Sequence, residues 1–351
     1  MAVMTAARAW LWATILLTAD ALASAVALAP APGAPPVTAL SWLLFTGSSV
    51  HVASTGWLFT VPAVRAYAAE HAARCLWVPV SLVIIAAIAA AAIHPAAFGW
   101  LLLPYFGWQF FHYQKQNLGM ASLAASAQRV RPLLPAERRP LLLAGVAAVA
   151  VLAARPGLLG LRLGVPAPAL FPLAAAGYAV AVAAGLAALI RRPAAERPAA
   201  FCVTYLTCLF FSLPAFVFAS PYAAVGGMTV AHGLQYLLLV ALIAGGSAGG
   251  AGTRSSRLVR LSLLANIALI GGTALSRASH LHNAGWPGRC VFGAYLGVVM
   301  AHFVIDAGLW RMRDPLARNF VAAHLPYLVP ERPVVPAPDR ETAMVPSTDR
   351  S

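Results

Sequence analysis

Long apolar runs alternate with short polar segments along most of the chain. A membrane core of about 30 Å is crossed by roughly 20 apolar helical residues, and the pattern contains ten runs of suitable length. Turn-forming residues separate them, as in the stretch from Pro30 to Pro36 and the pair Ser220-Pro221. The predicted spans are 9–29, 38–62, 73–93, 97–125, 139–155, 167–190, 200–218, 223–245, 258–275 and 287–310.

The composition agrees with a membrane protein. Of the 351 residues, 61% are hydrophobic and 10% are charged, whereas soluble domains contain about 25% charged residues. We therefore expect an all-α, polytopic transmembrane helix bundle that forms one domain over residues 1–325. The segment 326–351 is polar and rich in proline, which predicts a disordered cytoplasmic tail.

The formal net charge of +14 raises the question of a nucleic-acid partner. The arginines, however, are spread through short loops between apolar runs, which is typical of a membrane protein. With the N-terminus inside and ten spans, four of the 23 arginines lie outside and the other 19 lie in the cytoplasm. The four are Arg155, Arg162, Arg277 and Arg289. This bias predicts cytoplasmic termini, a place in the bacterial cytoplasmic (inner) membrane, and no nucleic-acid partner.

Four histidines lie deep inside the predicted spans, namely His51, His112, His232 and His302. They belong to the second, fourth, eighth and tenth spans, which all run from outside to inside. Counted at about 1.5 Å per residue from the outer ends, they occupy a layer roughly 9 Å thick near mid-membrane. Histidine is costly in hydrocarbon, so an intramembrane histidine is a functional-site hypothesis. The pattern predicts a metal site with these four residues as ligands.

Polar residues accompany the histidines. His302 and Asp306 are four residues apart in AHFVIDAGLWRMRD and share a helix face, so Asp306 is expected to be a metal ligand, a base or a partner of a ring N–H. The other candidates are Lys115 as a catalytic group or ion-pair partner of Asp306, and Asp20, Gln116, Gln235 and Tyr236 as groups that support the ligands. The alternative for any one histidine, and for Asp20, is an interhelical hydrogen bond.

Other residues with metal-binding chemistry carry a weaker signal. His280 and His282 form a His-x-His pair in an outer loop, which is expected to be a surface feature or a peripheral metal contact. The four cysteines are scattered and lack the spacing of a structural zinc site, so we expect small buried apolar residues. They are Cys75, Cys202, Cys208 and Cys290.

The pattern of histidine-bearing helices, with the closing segment AHFVIDAGLWR, resembles the bacterial Brp/Blh-type β-carotene-cleaving membrane oxygenases. The likeness is strongest at His302 and Asp306, whereas VHVAST and FHYQKQN stand where that family has Pro-His-Gly and His-Phe-Gly-x-x-Asp patterns. The segments HYQKQN, HGLQY and HFVID also resemble elements of other multi-histidine bacterial membrane proteins. The resemblance implies oxygenase chemistry at non-haem iron.

These observations together predict a membrane oxidoreductase, specifically an oxygenase or oxidase. Iron is the expected metal, with copper and zinc as alternatives because imidazole binds all three. The expected partners are the lipid bilayer, O₂, an electron donor, and a lipid, isoprenoid or small natural-product intermediate, which indicates a role in biosynthesis. Two other functions stay open. One is a haem-binding electron-transfer protein, and the other is a transporter or proton relay without enzymatic activity.

Overall fold

The structure, a computed structural model, describes residues 2–31, 34, 46–161, 163, 169–246 and 253–329. Within these residues every regular element is a helix, which agrees with the predicted all-α class. The α-helices are α1 (Ala2–Ala27), α2 (His51–Leu58), α3 (Pro62–Glu70), α4 (Val78–Ala92), α5 (Pro95–Ala127), α6 (Pro135–Ala154), α7 (Leu170–Arg191), α8 (Ala199–Phe210), α9 (Leu213–Val217), α10 (Gly227–Gly245), α11 (Arg254–Ser279), α12 (Trp286–Leu309) and α13 (Pro315–His324).

Several helices are extended by short turns of another helical type. A π-helical turn leads into α2 at Thr46–Val50, into α4 at Ala73–Trp77 and into α10 at Tyr222–Gly226. Short 3₁₀ helices lie at Pro156–Leu159, Ala194–Glu196 and His280–Asn283. Isolated π turns are rare and are frequently found at functional sites. Two of the three described here lead into helices that carry a histidine of the predicted site.

Seven helical segments in the described part of the chain are long and apolar enough to cross a membrane. They are Met4–Ala27, Ala73–Ala92, Leu170–Arg191, Ala199–Val217, Tyr222–Gly245, Arg254–Asn283 and Trp286–Leu309. Each corresponds to one of the ten predicted spans. A helical bundle with this many apolar segments is what an integral membrane protein requires.

Three predicted spans, 38–62, 97–125 and 139–155, are not among these seven. Helices α5 and α6 cover the second and third of these and have 33 and 20 residues. Polar residues lower their hydropathy, including the HYQKQN segment of α5 and the ERR segment at the start of α6. Residues 38–45 lie outside the described residues. The count of ten spans stays a prediction.

Arginines tie together the ends of helices that neighbour each other in the bundle. Arg289, near the start of α12, donates a hydrogen bond of 2.9 Å to the backbone oxygen of Ile93, just after α4. Arg260, in the first turns of α11, donates one of 2.9 Å to Ala244 near the end of α10. In each pair the beginning of one helix meets the end of the other, so the two helices run antiparallel.

A buried ion-pair cluster joins the start of α6 to the segment after α7. The guanidinium of Arg192 is fully buried and lies 2.9 Å from Oε1 of Glu137. It also donates to the backbone oxygen of Arg131 and lies over the ring of Phe201, 4.5 Å from the centroid. Glu196 completes the cluster at 2.6 Å from Nε of Arg131. Because both charges of the central pair are buried, each depends on the other for neutralisation.

Helix α12 packs along α4 with very close contact between backbones. A Cβ atom placed on Gly293 or Gly297 would collide with backbone atoms of Ala86 and Val83, respectively. The two glycines are four residues apart, as in the small-xxx-small pattern that lets membrane helices approach closely. Helix α4 thereby fixes the position of α12, which carries His302 and Asp306.

The predicted boundary of the disordered tail at residue 326 needs correction. Leu328 and Val329 are buried and pack into the main apolar core. The reason is that the sequence after Pro326 is still apolar, so burying it removes hydrocarbon surface from water. The packed domain therefore extends at least to Val329, and residues 330–351 lie outside the described residues.

Candidate metal centre

The structure brings the four histidines of the predicted layer into one cluster. His51 begins α2, His112 lies in α5, His232 in α10 and His302 in α12. Their rings form a closed square, with centroid distances of 4.9 Å from His51 to His232, 5.1 Å from His232 to His112, 5.4 Å from His112 to His302 and 5.0 Å from His302 to His51. Helices that are far apart in sequence thus converge on one point inside the bundle.

Ring nitrogens in this cluster have no hydrogen-bond partner among the described residues. They are Nε2 of His51, His112 and His302 and both ring nitrogens of His232. Buried polar atoms are normally paired, so each unpaired atom requires an explanation such as a bound ion. Four imidazoles with unpaired nitrogens around one point have the donor set of a metal site.

Two overlapping groups of ligand atoms meet the distance requirement of a metal centre. One group is His51, His232 and His302, the other is His112, His302 and Asp306, and in each the ligand atoms lie within 4.8 Å of one another. An ion bonded to nitrogen at about 2.0–2.1 Å holds its ligands roughly 3 to 4 Å apart, so small side-chain rotations suffice. These buried groups could hold a metal ion.

The backbone fixes which nitrogen of His51 is available. Its Nδ1 lies 2.5 Å from the backbone oxygen of Gly47, one turn earlier. A carbonyl oxygen only accepts hydrogen bonds, so Nδ1 carries the proton and Nε2 keeps its lone pair. Gly47 is itself held in place by Gly233, whose backbone closely approaches the Gly47 oxygen. The π turn therefore orients His51 as a ligand through Nε2.

A chain of hydrogen bonds does the same for His302. The hydroxyl of Tyr236 donates to Oδ1 of Asp306 at 3.1 Å, so its oxygen accepts from the hydroxyl of Thr55 at 2.8 Å. The oxygen of Thr55 in turn accepts from Nδ1 of His302 at 2.7 Å. The consequence is that His302 presents an unprotonated Nε2, which lies 3.5 Å from the other carboxylate oxygen of Asp306.

Two glutamines form hydrogen bonds between neighbouring helices and do not bond to the imidazole rings. Gln116 donates to the backbone oxygen of His232 at 3.1 Å and to Oε1 of Gln235 at 3.0 Å. Gln235 donates to Thr18 of α1 at 2.9 Å. This chain connects α5, α10 and α1, and it supports the centre by fixing the backbone that carries His232.

Aromatic rings pack against two of the imidazoles. Tyr113 stacks on His232 with 4.1 Å between ring centroids, and Phe303 stacks on His112 at 4.4 Å. Both residues directly follow a histidine of the cluster in sequence, but each stacks on a histidine of another helix. Neither residue was predicted to belong to the site. The signal in the sequence was an aromatic residue directly after His112 and directly after His302.

Two other predicted site residues lie apart from the cluster. Asp20 is exposed on α1 and belongs to neither ligand group, and Thr18 makes the contact from α1 instead. Lys115 is exposed on α5 and forms no ion pair with the buried Asp306 in the described structure. The expected pairing was therefore wrong, because the Lys115 side chain lies on the exposed surface of α5 whereas the Asp306 carboxylate lies in the core.

The remaining predictions concern the other residues with metal-binding chemistry. His280 and His282 lie in an exposed 3₁₀ helix after α11, where Nε2 of His282 is 3.0 Å from Asn283. They belong to neither ligand group. The four cysteines are free and are buried or half-buried, as expected for small apolar residues.

Comparisons with models of protein families, with curated proteins and with solved structures find no match for this chain. The resemblance to Brp/Blh-type oxygenases therefore stays a prediction. What is established is a class of protein: an α-helical bundle whose described residues include seven segments long and apolar enough to cross a membrane, with a buried histidine–carboxylate cluster that could hold a metal ion.

Proposed function

We propose that this protein is an integral membrane, iron-dependent oxygenase or oxidase. The observation that carries the proposal is the group of His112, His302 and Asp306. Two histidines and one carboxylate with open coordination positions are the ligand set typical of non-haem iron enzymes that use O₂. Copper and zinc suit the all-histidine group equally well, but the carboxylate favours iron.

In this proposal His302 is the central ligand because it belongs to both groups. His302 would hold the ion through Nε2, together with Asp306 and His112 from one group and His51 and His232 from the other. When bound, the iron supplies redox chemistry with O₂. The protein residues orient the ligands, and the tight helix packing around them excludes water from the centre.

Asp306 has two roles in the proposed mechanism. Its Oδ2 faces His302, whereas Oδ1 accepts a hydrogen bond from Tyr236. The carboxylate can therefore bind the metal through one oxygen while the other keeps it oriented. The hydroxyl groups of Tyr236 and Thr55 connect the Asp306 carboxylate to Nδ1 of His302. This hydrogen-bonded chain can hold a proton during turnover.

A haem site fits the same residues poorly. A haem with two axial histidines needs the two imidazoles on opposite sides of a flat macrocycle. The four rings here lie with centroids 4.9 to 5.4 Å apart around the square. This spacing leaves no slot for a porphyrin, so we favour direct coordination of the metal over the electron-transfer alternative.

We also propose ten membrane spans with both termini in the cytoplasm of a bacterial cell. The arginine bias of 19 to 4 supports this topology. The helix-end contacts of Arg289 and Arg260 support it as well, since each joins segments assigned to the same side. Reporter fusions to the C-terminus test the orientation, and activity of a periplasmic reporter there would contradict it.

Metal analysis of the purified protein tests the proposed function. We expect iron to co-purify and the absorption spectrum to lack a haem Soret band. His302→Ala and His112→Ala should abolish iron binding, whereas His280→Ala and His282→Ala should retain it and serve as matched controls. A strong Soret band would establish the haem alternative, and active protein without any metal would favour the transporter or proton relay.

A further inference from the structure

A cavity of about 420 Å³ lies next to the histidine cluster. Its lining extends from Gly160 and Pro221, in segments between helices, to Ser48, Gln109 and Thr229 inside the bundle. Ligand pockets for small molecules span about 300–1,000 Å³, so the volume suits a small molecule. The segments that contain Gly160 and Pro221, at the outer end of the cavity, are assigned to the non-cytoplasmic side in the proposed topology.

The inner end of the cavity lies close to three histidines of the cluster along their helices. Ser48, Gln109 and Thr229 line it, and each precedes a histidine of the cluster by three residues. Three residues correspond to nearly one helical turn and about 4.5 Å along the axis. The cavity therefore ends one turn away from the histidine layer on three different helices.

A hydrogen-bond chain at this end leaves one acceptor unpaired. Thr229 donates to the backbone oxygen of Val225, so its oxygen accepts from Tyr113, and Tyr113 accepts from Nε2 of Gln109 at 2.6 Å. This direction of donation means that the nitrogen of the Gln109 amide, not its oxygen, faces Tyr113. The amide oxygen, Oε1, then has no hydrogen-bond partner in the described structure. Gln109 is 6% exposed, and an unpaired acceptor at such a site is costly unless a ligand supplies a donor.

The other walls of the cavity are mainly apolar. Leu102, Phe106, Phe292 and Leu296 contribute hydrocarbon surface. Tyr113 connects the cavity to the metal centre, because its hydroxyl lies between Gln109 and Thr229 while its ring stacks on His232. The cavity thus combines apolar walls with several polar side chains, and the unpaired acceptor of Gln109 lies at the end nearest to the histidines.

We infer that this cavity is the substrate chamber and that it binds a small, mainly apolar molecule bearing one hydrogen-bond donor, such as a hydroxyl group, that pairs with Gln109. The term substrate rests on the proposed function, whereas binding in the cavity can be tested separately. Entry is from the non-cytoplasmic side, and the donor group is oriented toward the metal centre.

Photolabelling tests this inference with a diazirine derivative of 1-octanol on the iron-loaded protein in lipid nanodiscs. Labelled residues are identified by mass spectrometry, and 1-octanol and n-nonane serve as competitors of similar size at equal membrane concentration. We expect labels on cavity residues such as Phe106 and Leu296. We expect 1-octanol to compete about tenfold better than n-nonane, because one net hydrogen bond corresponds to roughly that factor in affinity.

Two kinds of variant test the contribution of the hydrogen bond and the contribution of the cavity separately. Gln109→Leu should remove the tenfold preference, whereas Gln114→Leu should keep it. Gln114 is a matched control, since it is a buried glutamine of the same helix with an unpaired Oε1 that does not line the cavity. Leu296→Trp fills the chamber and should reduce labelling at Phe106 at least tenfold, which keeps the inference testable if Gln109→Leu fails to fold.

Two outcomes would overturn the inference. One is labelling restricted to lipid-facing residues, and the other is equal competition by 1-octanol and n-nonane in the unmodified protein. Iron content measured on the same nanodiscs distinguishes the two proposals. Competitive labelling of protein that holds no metal would support the chamber and refute the iron site. Iron-loaded protein without labels in the cavity would support the iron site and refute the chamber.

Discussion

Replacing Thr55 by valine tests the hydrogen-bond chain that orients His302. The hydroxyl accepts from Nδ1 of His302 at 2.7 Å and bonds to Tyr236 at 2.8 Å. Valine has a similar shape but leaves the ring N–H and the tyrosine oxygen unpaired in the core. Since each buried unpaired group costs about 1–3 kcal/mol and two groups lose their partner, we predict a loss of roughly 2–6 kcal/mol in folding stability. The loss of a group that orients a ligand predicts about 10- to 100-fold weaker metal binding.

The assay for this prediction compares Thr55→Val with Thr55→Ser. Iron affinity is measured by competition with a chelator, and stability by thermal unfolding in the same detergent. Serine retains the hydroxyl and removes only one buried methyl group, at about 0.8 kcal/mol of stability, so it should stay within about threefold of the original affinity. Unchanged iron affinity in Thr55→Val, or an equal loss in both variants, would refute the assigned role of the hydroxyl.

Three further predictions concern other parts of the molecule. Arg192→Ala should destabilise the protein by about 3–5 kcal/mol because it leaves Glu137 buried without its partner, and a change below about 1 kcal/mol in chemical unfolding would contradict this. Gly233→Ala should lower both stability and iron content, because the added Cβ collides with the backbone oxygen of Gly47 that orients His51. Overpacking of this kind costs about 1–3 kcal/mol, and normal iron content in this variant would show that the contact is unimportant. Lys115→Ala should leave iron content and activity unchanged, since the side chain is exposed, and an inactive variant that still holds iron would restore the catalytic role expected from sequence.

The helical class was predictable because apolar runs of about 20 residues have few alternatives in a membrane. Helix α5 is not among the segments that are apolar enough to cross a membrane, since His112, Gln114 and Gln116 lower its hydropathy, so the span predicted over 97–125 stays a prediction. The π turns before α2 and α10 could not be predicted. They depend on close contacts such as that of Gly47 with Gly233, which join segments nearly 190 residues apart.

The meeting of the four histidines was predictable, and their surroundings were less so. The depth of the histidines along four predicted spans was sufficient to expect that their rings meet. Sequence spacing on one helix does not identify partners on another helix, because Thr55 follows His51 by one turn on the same face but bonds to His302 of α12. The same limit applies to Asp20, whose depth in the span says nothing about the direction in which α1 turns it.

The distribution of the ligands along the chain has a consequence for the biogenesis of the protein. His51 is synthesised first and His302 last, 251 residues later. At about 5–20 residues per second, translation separates them by roughly 13 to 50 seconds. During this interval α4 lacks α12, its main packing partner. The histidine cluster can therefore be completed only after α12 has been synthesised, and a nascent chain interrupted before α12 lacks both His302 and Asp306.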